Sequence, residues 1–258
     1  MRKGMSVHVL FPHSLIRRQV SAVKEYEDSI ALWDQIYKEC ELADLTGETL
    51  RVEPTFDACL EVFSRHCERI LDFGCGTGDI TFQCADFGHT KYGLGIDRSE
   101  VGIAYATKMA RLNHYHMLDF VVGDSTYLSQ MEEETFDGII VSNVFDVVPE
   151  DVETTMFAEL TRVLKPGGLM FVKLNPEATN EELESFGFVR MQDNMYEEDG
   201  VLRLRELSTS QWKKEFEENY IIERYLEFPY PWQDGMNRLF LLKKKIPSQS
   251  VEETELDF

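Results

Sequence analysis

Long apolar runs are missing from these 258 residues. The hydrophobic segments are of strand length or amphipathic, and none approaches the roughly 20 apolar residues that a membrane-spanning helix needs, so no membrane partner is expected. Met5–Phe11 is largely apolar behind a basic start, but it is short, contains His8 and lacks a small-residue cleavage site, which argues against a signal peptide. Bases are scarce beside acids: 26 Lys+Arg against 47 Asp+Glu leave a formal net charge of −21. Nucleic-acid binding draws much of its affinity from cations that displace counterions, so DNA and RNA are disfavoured as substrates. The clearest basic run, Lys243-Lys244-Lys245, reads as the solvated end of a strand. A neutral or cationic small molecule fits the charge, and solubility alone is the other reading. Cysteine is sparse: five residues, an odd number, with no Cys-x-x-Cys pair. They read as reduced thiols of a cytoplasmic protein, not as a disulfide frame or a zinc site. His114 and His116 flank Tyr115 without a third ligand nearby, so no metal is expected.

Glycine is present where it carries most information. Residues 70–79 read Ile-Leu-Asp-Phe-Gly-Cys-Gly-Thr-Gly-Asp. A short apolar approach, alternating glycines and a following helical pattern describe a strand, a tight turn and a helix, the layout that brings backbone close to a nucleotide-like ligand at the carboxyl edge of a parallel sheet. A dinucleotide turn requires Gly-x-Gly-x-x-Gly; here the third glycine comes one residue early and Asp79 stands in its place, which disfavours a nicotinamide dehydrogenase. A second strand, 92–96, ends at Asp97, roughly 20 residues on, where an acid can accept from ribose hydroxyls. A third, 118–122, runs into Gly123-Asp124-Ser125; a fourth, 137–142, runs into Ser142-Asn143; Leu164-Lys165-Pro166-Gly167-Gly168 precedes a fifth, 169–174. Helical patterns near 79–87, 99–112 and 150–163 fall between most of these strands, which implies a doubly wound parallel α/β sheet.

Asp72-x-Gly74-x-Gly76-x-Gly78, with the later acids and the Pro-Gly-Gly turn in order across residues 69–174, resembles the class I S-adenosylmethionine (AdoMet)-dependent methyltransferases. The resemblance implies a Rossmann-like seven-stranded sheet of order 3-2-1-4-5-7-6, the last strand antiparallel, and S-adenosylhomocysteine (AdoHcy) as product. It implies that Gly74, Gly76 and Gly78 approach the methionine part, with Cys75 inside the turn, and that Asp72 fixes the loop or reaches the ammonium through water. Asp97 would take the ribose, Arg98 would flank the adenine, and Asp124 and Ser125 would hold its edges. Ser142 and Asn143 would lie beside the sulfonium. The base-methylating Asn-Pro-Pro-Tyr pattern is absent. Ser142-Asn143-Val144-Phe145-Asp146-Val147-Val148-Pro149 is closer to small-molecule enzymes, whose histidine pair is replaced here by Asp146 and Val147, so no histidine base is expected. Phe145 and Asp146 are candidates for the acceptor side. Asp146, a weak catalytic candidate, would orient a cationic acceptor or cap the next helix.

Ahead of the first strand, apolar residues from Ile16 to Tyr37 recur at helical spacing over 14–40, and Pro54 starts a second helix. Residues 1–66 are read as a lead and a helical lid, and 67–246 as the methyltransferase domain. Tyr26–Tyr37 resembles a lid helix, with Trp33 and Tyr37 on one face; Tyr37 is the second weak catalytic candidate, and core packing is the competing role. Residues 176–207 are an irregular acidic insertion with a hairpin, 188–196 against 201–206, turning at Asp199-Gly200. Asp193-Asn194-Met195-Tyr196 lies in this insertion, where the resemblance implies that substrate specificity is built. Phe228-Pro229-Tyr230-Pro231-Trp232 either lines a pocket or packs on the sheet. The acidic tail 247–258 is expected to be disordered. The chain is expected to be a monomer or homodimer acting on a small molecule. A protein or RNA acceptor, and a non-catalytic AdoMet-binding partner subunit, are the alternatives.

Overall fold

A computed structural model describes residues 13–192 and 194–246. The lead before His13, Asp193 and the tail 247–258 lie outside the described residues. In chain order the elements are α1 (His13–Lys38), α2 (Pro54–His66), β1 (Arg69–Phe73), α3 (Asp79–Asp86), β2 (Tyr92–Asp97), α4 (Glu100–Leu112), β3 (Leu118–Val122), α5 (Ser125–Leu128), β4 (Phe136–Ser142), α6 (Glu150–Val163) and β5 (Leu164–Leu174). They continue with α7 (Asn180–Ser185), β6 (Val189–Arg190), β7 (Met195–Glu198), β8 (Val201–Arg205), α8 (Thr209–Asn219), β9 (Tyr220–Phe228) and β10 (Asn237–Lys244).

The main sheet runs β3-β2-β1-β4-β5-β10-β9. β10 is antiparallel to both neighbours, and the pairs from β3 to β5 are parallel. This is the expected 3-2-1-4-5-7-6 order once the small sheet β6-β7-β8 is set aside. Alternate residues of each central strand enter opposite layers. Leu71, Val141, Val172 and Phe240 pack with Phe157, Trp212 and Phe216 from α6 and α8. Ile70, Ile140, Phe171 and Leu239 pack with Phe56, Leu60 and Phe63 from α2. Each fully buried side chain of this size contributes about 1.5–3 kcal/mol, so both faces of the sheet are anchored and the strand ends that carry the site are held rigidly. α2 starts where proline permits, with the Glu53 carboxylate accepting from Thr55 N and Phe56 N at 2.8 Å each.

Local structure departs from the sequence expectation in several places. The polar connection after β3 contains the short helix α5, where the Asp124 carboxylate caps Thr126 N; four residues are too few to show a helical period. β5 begins at Leu164 because Leu164 already pairs with Phe136, with an irregularity before Gly138. The hairpin turns at Asp199-Gly200, both at positive φ (54° and 77°), as an Asp-Gly pair permits. Its first strand is broken, however: β6 and β7 are separated by a turn in which Asn194 adopts φ 59°. The lysine run is not simply solvated, since Lys244 Nζ donates to Thr161 O at 2.7 Å and Leu164 O at 2.6 Å, tying β10 to α6. The aromatic loop after β9 packs: Tyr230 stacks on Trp232 at 4.6 Å and meets Phe228 edge-on at 5.0 Å.

Candidate functional site

At the carboxyl edge of the sheet the glycine turn and the β2 acid form one unit. Gly74 N and Cys75 N both donate to Ile96 O, at 2.7 and 3.1 Å. Asp97 Oδ2 accepts from Gly76 N and Oδ1 from Ser99 N, each at 2.8 Å. Gly74 has φ 75° and Gly76 φ 53°, and a Cβ on them would sit 2.4 Å from Val144 Cγ2 and 2.6 Å from Tyr37 Oη. The turn therefore needs glycine both for its backbone and for what passes over it. Burial pushes Asp97 above its ordinary range against the lowering effect of those N–H bonds.

Asp72 is sealed behind this turn. It is 2% exposed, its Oδ2 accepts from Thr81 Oγ1 at 2.6 Å, and burial pushes it up to about 7. It clamps α3 to β1 and does not reach the cavity wall. Cys75, Gly76 and Gly78 also lie off that wall; Tyr37 covers Gly76, and Phe120 and Phe82 pack over Gly78.

The cavity has a volume of about 510 Å³, within the range of small-ligand sites. One end is walled by Gly74, Asp97, Arg98, Asp124, Ser125 and Ser142, and Asn143 adjoins them. Asp124 is held below its ordinary range by Thr126, whose N and Oγ1 donate to Oδ1 at 2.8 and 2.7 Å. The Arg98 guanidinium lies 4.2 Å over the Tyr26 ring and pairs with Glu27. Ser99 hydrogen-bonds Asp34. These contacts fasten α1 over the sheet edge.

The other end was only partly legible. α1 brings Ile30, Trp33 and Tyr37, with the two aromatic rings stacked at 5.9 Å and 24°. Val144, Val147 and Val148 follow β4; Asp151, Val152, Thr155 and Met156 come from the first turns of α6; Leu202 and Arg203 come from β8. The α6 and β8 contributions were missed. The spacing of 148, 152 and 155–156 was a helical-face signal, whereas nothing local marked Leu202 or Arg203.

Phe145 and Asp146 are corrected by their placement. Both are 0% exposed in a 3-10 turn, Phe145–Val147, and neither lines the cavity. Phe145 packs on Phe157 at 5.5 Å and on Phe216 at 6.3 Å. Asp146 Oδ2 accepts from Asn175 N at 2.6 Å and Nδ2 at 3.1 Å. Asp146 does not cap α6 either, whose N-cap position is Pro149 without a side-chain bond. No cluster of three His, Cys, Asp or Glu suited to a metal occurs among the described residues.

The Gly74 backbone on the cavity wall, acids at the ends of β2 and β3, and a cavity of this volume fit AdoMet. A family model described as a methyltransferase domain matches residues 65–222. The demethylmenaquinone methyltransferase of Leptospira interrogans is 34% identical over 114 residues, 44% of this chain and 44% of that protein. The malonyl-[acyl-carrier protein] O-methyltransferase of Halalkalibacterium halodurans is 29% identical over 148 residues, 56% of this chain and 52% of that protein. The chain thus aligns with about half the length of these curated relatives. The 1,6-didemethyltoxoflavin-N1-methyltransferase of Burkholderia thailandensis, solved with 1,6-didemethyltoxoflavin and AdoHcy bound, shares the fold over 94% of both chains, at 16% identity and a TM-score of 0.61. With its motifs, strand order and family match taken together, the chain belongs to the class I AdoMet-dependent methyltransferases, and AdoMet is its cofactor.

Proposed function

We propose that the protein transfers a methyl group from AdoMet to a small, largely apolar acceptor and releases AdoHcy. The observation that carries this reading is one continuous cavity joining the acids of the sheet edge to a wall of Ile30, Trp33, Val147, Val152, Met156 and Leu202. Such a wall removes apolar surface from water and suits a flat organic molecule. Relatives named for menaquinone and toxoflavin precursors support it.

In this reading the ends of β1–β4 hold the cofactor. Gly74 gives close approach, Asp97 accepts from the ribose, Asp124 and Ser125 meet the adenine, and Ser142 and Asn143 flank the sulfonium. Bound there, AdoMet supplies an electrophilic methyl: the acceptor's lone pair forms the new bond, and the C–S electron pair stays on sulfur. This chain's residues orient the acceptor and exclude water, which can be worth about 7–11 kcal/mol in well-aligned cases. α1 acts as the lid. Tyr37 serves as packing and donor rather than base, because burial, reinforced by Asp97, holds its phenol protonated. The unpaired cysteines accord with the cytoplasm as the working compartment.

The test is AdoHcy release over a panel of small acceptors, with quinols, phenols, carboxylic acids and amines equally represented. Turnover with an apolar small molecule supports the reading. Turnover confined to protein or RNA preparations would replace it.

A further inference from the structure

From Leu169 to Leu174, β5 is apolar on both faces except at Lys173. Lys173 follows Val172, precedes Leu174 and is 1% exposed. Its main-chain carbonyl accepts from Asn143 N at 2.8 Å, and its ammonium donates to Asn143 Oδ1 at 2.7 Å. Asn143 is thus gripped from both sides, in a left-handed backbone conformation (φ 55°) that asparagine tolerates better than most residues. Lysine can only donate, so the atom facing it must be the carboxamide oxygen. The planar amide then turns its Nδ2 away from Lys173, and no hydrogen bond among the described residues occupies that nitrogen. Asn143 itself is exposed on the cavity wall.

We propose that Lys173 is a positioning residue for the acceptor: it locks and polarises Asn143 so that the carboxamide N–H groups hold an acceptor oxygen in its ionised form. The proposal rests on the methyl-transfer reading above and deepens it. A charge-assisted bond behind the amide strengthens the N–H bonds in front of it. An ionised oxygen gains from that arrangement. An amine loses by it, because N–H donors would engage the lone pair it needs, and methylation would create a second cation beside the ammonium. The acceptor class is therefore a weakly acidic O–H, such as a phenol or enol. Its proton leaves to solvent on binding, its oxygen forms the bond to the methyl carbon, and a neutral ether results. No histidine or cysteine lines the described cavity wall, and this arrangement needs no general base.

The ammonium's surroundings permit the charge without neutralising it. It lies 5.2 Å over the Tyr230 ring. Burial pushes it down to about 8; Asp146 on the 3-10 turn opposes that shift and Arg238 on β10 adds to it. Lys173 is thus charged below about pH 8.

The test loads the protein with AdoHcy and titrates 4-nitrophenol, whose anion is read by absorbance. Its apparent pKa should fall by about one unit when bound, a tenfold preference for the anion. Lys173→Met should restore the free value while AdoHcy still binds by calorimetry, and Lys173→Gln, a neutral donor, should fall between. A merely structural lysine would leave the probe's pKa untouched. Probe bound in neutral form, probe that does not bind, or a shift that persists in Lys173→Met overturns the proposal. Failure of the wild-type protein to bind AdoHcy strikes the methyl-transfer reading instead. A readout without cofactor remains in that case: the Asn143 side-chain amide signals, identified by their loss in Asn143→Ala, should move with a midpoint near pH 8 and cease to do so in Lys173→Met. Signals that ignore pH overturn the coupling directly.

Discussion

The two ends of the cavity are built by different rules. The proposed cofactor end comes from consecutive strand termini, with Gly74, Asp97, Asp124 and Ser142 each standing at or just beyond the end of β1, β2, β3 or β4. The proposed acceptor end comes from α1, α6 and β8, elements distant in sequence that each lend a few residues. The first is a property of the parallel sheet, which places its loops along one edge. The second exists only after packing, when Arg98 and Ser99 pin α1 across that edge. Substitutions at the two ends should therefore fail in different ways.

The largest effect is expected at the glycine turn. Gly74→Val puts a branched side chain at φ 75° and 2.4 Å from Val144 Cγ2. AdoHcy affinity should drop more than about a hundredfold, with stability lower by about 1–3 kcal/mol; retention of binding would show that the turn does not approach the cofactor. Trp33→Ala sharpens the contrast from the other end. It should raise KM for the acceptor about tenfold while AdoHcy affinity stays within about threefold, and an equal loss of both would merge the two halves into one.

A smaller effect is expected with pH. Burial raises Asp72 to about 7, and Glu153 and Glu206 to about 8. Between about pH 4.5 and 8 the folded chain thus holds protons that the unfolded chain has released, so stability falls as pH rises through that window. Lys173, lowered to about 8, has the opposite sign above it: there the unfolded chain holds the extra proton, and stability recovers towards pH 10. Thermal unfolding should show a minimum near pH 8, with Tm on the order of 10 °C higher at pH 6. A Tm that climbs steadily from pH 6 to 8 would mean these groups are solvated.

Legibility followed the same division. The glycine spacing and the acids after β2 and β3 could be read because each is a short local pattern, and the strand order followed from the family those patterns resemble. Asp146 was misplaced because a 3-10 turn rotates Phe145 and Asp146 into the interior, and no periodicity betrays three residues. The four residues of α5 escaped for the same reason, and the turn at Asn194 was hidden by a strand-like composition. Lys173 was visible as a charge interrupting an apolar strand, but its partner, Asn143, lies 30 residues away. Only the parallel pairing of Ser142 with Lys173 brings them together.

The most direct single measurement is a calorimetric titration of AdoHcy into the wild-type protein and into Asp97→Ala. Micromolar binding that weakens about 10- to 100-fold in the variant is expected, the cost of removing a carboxylate that accepts charge-assisted bonds. Equal binding in both proteins, or none in the folded wild type, would contradict a cofactor end built on β2.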